Sequence, residues 1–164
     1  MTFIIIIVIV FVIALLYFIH HDKLVFINQK IFTIEEKLKS TLIKRKEILK
    51  DAEKEIKELV KTDKEVFSNL QEIDSKKLNM FELDKKLIVY KKEFSLVTDK
   101  YDVLKTNEEF QKLSFAISET SDKLETYRKY YNKYAEEYNK VIKSFPIIIT
   151  TIFTGRKQKE FFDI

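Results

Sequence analysis

The side chains that could do chemistry in this chain are two adjacent histidines, many carboxylates and a cluster of tyrosines. His20 and His21 are the only histidines, and cysteine is absent. Without cysteine, disulfides, thiolate metal sites and cysteine nucleophiles are excluded. Adjacent residues on a helix point about 100° apart, so the histidine pair makes a poor chelate. We therefore assign this pair neither a metal-binding nor a pH-sensing role.

The carboxylates do not have the spacing of a metal site in a helical bundle. A di-metal site of that kind uses inward-pointing Glu-x-x-His pairs, and the sequence has none. Phosphate-binding loops need several glycines, whereas Gly155 is the only one. We interpret the acidic residues as a solvated face paired with lysines: Glu53, Glu55, Glu58, Glu119, Glu136 and Glu137. The sequence predicts no catalytic, cofactor-binding or metal-binding residues, no cofactor and no enzymatic activity.

Five of the eight tyrosines lie in the stretch YRKYYNKYAEEYNKVIKSFP, residues 127–146. They could form a stacking platform for bases, a cofactor pocket or the seam of a helical bundle. Base-stacking aromatics are open to solvent among basic neighbours. Most of these tyrosines instead fall on a series with alternating steps of three and four residues, which predicts the buried seam of one long helix. The seam comprises Phe110, Leu113, Ile117, Thr120, Leu124, Tyr127, Tyr131, Tyr134, Tyr138, Val141 and Phe145, and Pro146 is expected to end the helix.

The charge pattern argues against nucleic acid as a partner. The formal net charge is only +4, and acidic residues alternate with lysines along most of the chain. Nucleic-acid-binding proteins usually cluster their basic residues on one face. We therefore predict no nucleic-acid partner.

The N-terminal stretch TFIIIIVIVFVIALLYFI, residues 2–19, carries no charged side chain. As a helix it would be about 27 Å long, close to the hydrocarbon thickness of a bilayer of roughly 30 Å. A cleavable signal peptide would need a basic N-terminal region and a small-residue cleavage site. Neither is present, so we predict an uncleaved transmembrane helix with the lipid bilayer as the partner of residues 2–19.

The flanks of this stretch predict its orientation. No basic side chain precedes it, whereas Lys23, Lys30, Lys37 and Lys39 follow. An excess of Lys and Arg marks the cytoplasmic side of a membrane span. The expected location is the cell membrane, with a single pass, the N-terminus outside and the C-terminal part in the cytoplasm.

The rest of the chain is patterned as helices. A first stripe runs from Leu24 to Leu59 with Arg45 as a polar interruption. A capping box at Thr62–Glu65 precedes a short stripe that ends at Ile73, and Asp74–Ser75 make a break. A third stripe comprises Leu83, Leu87, Tyr90, Phe94 and Val97, and Thr106 and Asn107 are N-cap candidates for the last helix.

These segments predict an all-α fold, in which an N-terminal transmembrane helix precedes an antiparallel up-and-down four-helix bundle with long first and last helices. The predicted domains are an anchor at 1–22, a helical bundle at 23–145 and an apolar and basic tail at 146–164. The tail either docks on the membrane or caps the bundle.

Three C-terminal stretches, YDVLKTNEEFQKL, YRKYYNKYAEEYNKVIKSFP and RKQKEFF, carry a recognisable pattern. An Asn-Glu-x-Phe start to the last helix is followed by Arg-x-aromatic-Tyr-Asn, Tyr-Asn, Phe-Pro and Phe-Phe. In this pattern, and in an alignable first half that includes LIKRKEILKDAEKEIKELVK, the chain resembles the LemA family. The matching residues are Asn107, Glu108, Phe110, Arg128, Tyr130, Tyr131, Asn132, Tyr138, Asn139, Phe145, Pro146, Phe161 and Phe162.

The first half departs from the family pattern. Glu35 stands where a Trp is usual, Lys50 and Asp51 replace a Pro and an Asn, and Asp102 replaces a Pro. The resemblance implies a four-helix bundle anchored by one N-terminal span, with its C-terminus inside, and it implies no known activity.

We therefore expect a membrane-anchored scaffold or adaptor of bacterial LemA type, with a protein partner that the sequence does not name. The alternative is a coiled-coil homodimer that acts as a signalling stalk or membrane-remodelling element. The tyrosine-rich seam could serve either a bundle within one chain or a homo-oligomer.

Overall fold

The computed structural model describes residues 1–61, 73 and 78–163, and over these residues the chain is helical without any strand. The predicted all-α class is confirmed. The helices are α1 (Thr2–Val60), α2 (Met80–Lys100), α3 (Asp102–Thr106), α4 (Glu108–Ile142) and α5 (Ile147–Thr154). They form two compact units. The first unit combines Met1–Glu36 with Tyr127–Ile164, and the second unit is Lys37–Thr126.

Helix α1 runs for 59 residues and joins the apolar stretch to the first stripe without a break. No Gly or Pro lies between residues 2 and 60, so nothing in this range weakens the helical backbone. The helix ends before Lys61, whose φ of 52° is left-handed. The predicted domain boundary at residue 22 falls inside α1, and the first unit takes residues from all three predicted domains. Those boundaries stay predictions.

In the second unit, α1 contributes a buried stripe that includes Leu38, Leu42, Leu49 and Ala52. Arg45 lies on the same stripe and is only 2% exposed. The predicted polar interruption is therefore a charged residue that keeps its place on the buried stripe. Its position keeps the three- and four-residue rhythm, and its long side chain is packed inside the unit with the apolar residues.

Helices α2 and α4 begin at polar caps. The Asn79 side chain accepts a hydrogen bond from the Glu82 N–H at 2.9 Å, and the Glu82 carboxylate accepts one from the Asn79 N–H at 2.9 Å. Asn107 caps α4 by accepting from the Phe110 N–H at 2.8 Å. The predicted third helix is confirmed, with Leu87, Tyr90 and Phe94 buried.

The sequence did not predict the short helix α3, which begins at Asp102, where the family usually has Pro. The predicted capping box at Thr62–Glu65, the stripe residues Val66, Phe67 and Leu70, and the break at Asp74–Ser75 lie outside the described residues. The up-and-down order of four helices therefore stays a prediction.

In the first unit, the end of α4 follows the predicted seam except at its last residue. Tyr131, Tyr138 and Val141 are buried, and Tyr127 and Tyr134 are partly buried. Phe145 was predicted to lie on the seam, but it is 55% exposed. The reason is that α4 already ends at Ile142, and a turn carries the chain through Phe145 to Pro146. Pro146 therefore precedes the next helix and does not end α4.

Helix α5 occupies the apolar stretch that the sequence left as a tail. It starts after Pro146 and ends at Gly155, whose φ of 63° is left-handed. A Cβ at this position would meet no atom within 4 Å, so the requirement for glycine is conformational and not steric. Residues 156–163 have no regular secondary structure. We call residues 156–163 the strap.

Candidate functional site

Two asparagines on α4 hold the strap in the first unit. Asn132 and Asn139 are seven residues apart, and seven residues are close to two helical turns. Their side chains therefore leave α4 on the same face. Asn in the middle of a helix has a moderate cost in helix propensity, because its side chain competes for backbone groups. Here both side chains bind the backbone of a distant segment.

Each asparagine makes a pair of hydrogen bonds with a single strap residue. The Asn132 amide nitrogen donates to the Phe162 carbonyl at 2.8 Å, and its carbonyl oxygen accepts from the Phe162 N–H at 2.8 Å. Asn139 does the same with Lys159, at 2.9 and 2.8 Å. The paired geometry is that of two opposed strand residues that exchange both of their bonds. We call these two pairs the asparagine clasps.

The clasps fix the register of the strap on the helix. Seven helical residues rise about 10.5 Å. The three residues from Lys159 to Phe162 span roughly 10 Å when extended, so the two spacings match. A step of three also suits polyproline II geometry, in which every third residue faces the same way. A shift of the strap by one residue would break both clasps.

An aromatic contact lies beside the clasp at Asn132. The Phe162 ring packs edge-on against the Tyr131 ring, with centroids 5.0 Å apart and planes at 82°, and both residues are buried. An edge-to-face pair of this kind adds stabilisation beyond its buried area. Burial raises the pKa of Tyr131 to about 12, and the Glu35 and Glu160 carboxylates act in the same direction. The Tyr131 phenol is therefore neutral at physiological pH.

An ion pair ties the strap to α1. The Lys159 ammonium lies 3.3 Å from a Glu35 carboxylate oxygen, and both side chains are about two-thirds buried. Glu35 is the residue that replaces the family's usual Trp. At this position the chain has a charge contact to the strap where the family pattern has an aromatic ring.

The residues of the family pattern divide into buried and exposed groups. Asn107 caps α4, Glu108 lies exposed in its first turn, and Phe110 is buried and stacked on Phe94 at 5.3 Å. Arg128 is partly buried. The other buried residues of the pattern are Tyr131, Tyr138, Asn139, Pro146 and Phe162, with Asn132 partly buried. The exposed residues are Glu108, Tyr130, Phe145 and Phe161.

A groove of about 670 Å³ lies beside α1 in the first unit. Its lining includes the Glu35–Lys159 pair and further side chains of α1: Val25, Asn28, Gln29, Ile31, Phe32 and Thr33. Among the lining residues that the structure describes, the charged groups are Glu35 and Lys159, and these two are bound to each other.

The described residues include no group of three or more His, Asp or Glu side chains that could hold a metal ion. His20 donates from Nδ1 to the Leu16 carbonyl at 2.8 Å, and the His21 ring lies 5.8 Å from the Tyr17 ring. These contacts are local to α1, and they bring neither histidine to the clasps.

The fold defines a class of small helical proteins with one N-terminal apolar helix and a packed helical body. By length and composition, the first part of α1 can cross a membrane, and none of that stretch is buried. A family model described as LemA family matches residues 34–164. The chain belongs to the LemA family, as the resemblance in its sequence indicated. No curated protein and no solved structure matches the chain significantly.

Sequence reasoning found the residues of the clasps but not what they do. Asn132, Asn139 and Phe162 were singled out by the family pattern, and Lys159 was counted only as a basic tail residue. The sequence signal nearest to the clasps is a pair of asparagines seven residues apart beside the tyrosine seam, and it does not identify their partners. Their partners lie 20 and 30 residues away, and no local pattern indicates contacts at that separation.

Proposed function

We propose that this chain is a membrane-anchored scaffold or adaptor of LemA type without catalytic activity, with residues 2–19 in the bilayer and the folded part in the cytoplasm. The observation that carries the proposal is the continuity of α1. Its first stretch is apolar and unpacked, and the same helix becomes a core element from Leu24 onward. A helix satisfies its own backbone in lipid, so this unpacked stretch suits a membrane span.

Membrane anchoring is tested by alkaline carbonate extraction of cell membranes. The full chain should stay in the membrane pellet, and a variant that lacks residues 2–19 should move to the supernatant. A full chain that is extracted as readily as the deletion variant would contradict the anchor.

The non-catalytic part of the proposal is supported by the state of the charged groups around the clasps. The Glu35 carboxylate and the Lys159 ammonium are bound to each other, and the Tyr131 phenol is buried and neutral. General acid–base catalysis needs a titratable group within reach of a substrate and with a pKa near the working pH. The ion pair engages the Glu35 carboxylate and the Lys159 ammonium, and the Tyr131 phenol is buried with a raised pKa.

The partner surface is best sought among family-pattern residues that the fold leaves exposed. Tyr130 and Phe161 are each about half exposed, although their neighbours Tyr131 and Phe162 are buried. Exposed aromatics are frequent anchors in protein interfaces. We infer that these two rings are part of the surface that the protein presents to its partner.

A photo-crosslinking amino acid at Tyr130 or Phe161 in the full chain tests this surface. Discrete heavier products should form in native membranes, and a crosslinker at Phe115, an exposed ring outside the family pattern, should not give them. The same products from all three positions, or none from any, would contradict the assignment.

The alternative, a coiled-coil homodimer, would need the α4 seam for a second chain. Seam residues such as Ile117, Leu124, Tyr131 and Tyr138 are already buried in a single chain. We therefore expect a monomer. Light scattering on the detergent-solubilised protein, corrected for bound detergent, should give 19.7 kDa. Twice that mass would favour the stalk.

A further inference from the structure

Helix α5 turns its apolar face outward, which is the reverse of a surface helix on a soluble protein. With successive residues about 100° apart, Ile148, Ile149, Ile152 and Phe153 occupy one arc of roughly 140° opposite Ile147. The threonines at 150, 151 and 154 lie within about 60° of Ile147, on the side of the helix that faces away from this arc. A surface helix normally directs its apolar stripe to the core and its polar side chains to water.

The burial of the side chains follows this reversed pattern. Ile147 is fully buried, whereas Ile152 is 74% and Phe153 86% exposed. The Thr151 hydroxyl oxygen is buried. The Thr150 and Thr154 hydroxyls donate to carbonyls within the helix, those of Ile147 at 2.9 Å and Thr150 at 2.7 Å. The Thr150 and Thr154 hydroxyls are thus satisfied within the helix, and the outward face of α5 is apolar.

The apolar span of α1 belongs to the same compact unit as α5. Burial on α1 begins at Leu24, five residues after Ile19. Five helical residues correspond to about 8 Å, which is close to the thickness of one headgroup layer. If residues 2–19 span the bilayer, the folded part of the first unit begins at the lipid surface.

Basic side chains flank the outward face of α5. Lys143 precedes the helix and is exposed, and Arg156 and Lys157 follow Gly155. Lys159 is not available, because it is paired with Glu35. Cations next to an apolar helical face are the combination that binds the interface of a bilayer containing anionic lipid.

We propose that α5 is an interfacial helix whose outward face of Ile148, Ile149, Ile152 and Phe153 lies among the lipid headgroups and upper acyl chains of the bilayer that holds α1. The asparagine clasps hold it there, because they bind the strap on the far side of Gly155 back to α4. This inference rests on the proposed anchor. It gives the protein a second, peripheral contact with the membrane.

The test uses tryptophan as a reporter, because the chain contains none. The full-length variants F153W, F115W and F11W are reconstituted in phosphatidylcholine–phosphatidylserine vesicles that contain lipids brominated near the top of the acyl chain. Phe153 and Phe115 are both strongly exposed rings on helices, so neither change disturbs packing and F115W is a matched control. F11W reports on the span itself.

Lipid bromines should quench F153W several-fold more strongly than F115W, and F11W should also be quenched. If F11W is quenched but F153W is quenched no more than F115W, the interfacial helix is overturned. The anchor would then be supported. A blue-shifted F153W emission without quenching would show that protein covers this face, which also overturns the inference. An unquenched F11W would overturn the anchor and, with it, the inference.

Discussion

At the scale of single residues, Tyr131 links the helix seam to the strap. Its ring is 1% exposed and contacts Phe162, whereas the adjacent Tyr130 is 53% exposed. Two neighbouring tyrosines in one helix thus have opposite surroundings, and substitutions at the two positions should differ in their effects accordingly.

Replacement of Tyr131 or Tyr138 with Ala should lower the free energy of unfolding by about 3–5 kcal/mol, because a buried aromatic ring is removed and a cavity remains. Tyr130→Ala is the matched control and should change it by less than about 0.5 kcal/mol. Denaturant unfolding of the detergent-solubilised protein, followed by circular dichroism, measures the difference. Equal effects at 130 and 131 would contradict the burial of Tyr131.

The raised pKa of Tyr131 makes stability depend on pH in the alkaline range. Between pH 10 and about 12, the folded state keeps a phenolic proton that the unfolded state has lost. The free energy of unfolding should therefore be unaffected by this group below pH 10 and should fall by up to about 1.4 kcal/mol per pH unit above it.

Tyr131→Phe removes this ionisation and keeps the ring, so it is the control for the lysines that titrate in the same range. The wild type should lose more stability than Tyr131→Phe as the pH rises from 10 to 12. Parallel losses in the two proteins would show that the Tyr131 pKa is not raised.

At the scale of elements, the asparagine clasps join α4 to the strap through four hydrogen bonds. Asn132→Ala or Asn139→Ala should cost about 1–3 kcal/mol, because the N–H and the carbonyl of one strap residue both lose their partners. More specifically, the amides of Lys159 and Phe162 should lose protection in hydrogen exchange, since they donate to the two side chains.

Asn132→Asp refines this test, because aspartate keeps the acceptor for the Phe162 N–H but has no donor for its carbonyl. It should preserve part of the protection that Asn132→Ala removes. Lys133→Ala, an exposed change one residue away, is the control and should leave exchange at Lys159 and Phe162 as in the wild type. Loss of protection in all three variants alike would contradict the clasps.

The sequence predicted those parts of the elements that depend on periodicity. The seam of α4 and the stripe of α1 follow from the spacing of apolar residues, because one helical face packs on a neighbour. The sequence also placed Arg45 on that stripe as a polar interruption, but no local pattern indicated that its side chain is buried. The sequence placed the end of α4 at Pro146, because a proline disfavours the helical conformation of the residue before it. Nothing in the sequence marked Ile142 as the last helical residue.

The clasps and the reversed polarity of α5 could not be predicted. An asparagine within a helix has the same local pattern whether it faces water or binds a distant backbone. Likewise, a run of isoleucines and threonines shows an apolar helix, but only the packing of Ile147 shows which side faces outward. Both features depend on contacts between segments far apart in the chain.

At the scale of the whole molecule, the proposed orientation depends on the asymmetry of basic residues around the span. A unique cysteine can test it, because the natural chain has none. In intact cells, Ser118→Cys should resist a membrane-impermeant maleimide, and Thr2→Cys, at the outer boundary of the span, should react with it. Both positions are exposed in the structure, so burial does not protect either.

Permeabilising the cells should make Ser118→Cys reactive, which controls for the accessibility of the thiol. Labelling of Ser118→Cys in intact cells, together with protection of Thr2→Cys, would show the opposite orientation. The fold would be unaffected by that result, but the partner would then have to be sought outside the cytoplasm.

The clasp at Asn139 closes a loop of 20 residues that leaves α4, passes through α5 and returns at Lys159. Both ends of this loop are fixed by contacts that do not involve the side chains of α5. The entropy of closing a loop changes only slowly with its length. The segment between the fixed ends should therefore tolerate replacement. Substitutions, insertions or a grafted helix could alter the outward surface there, and the body of the fold would keep its register.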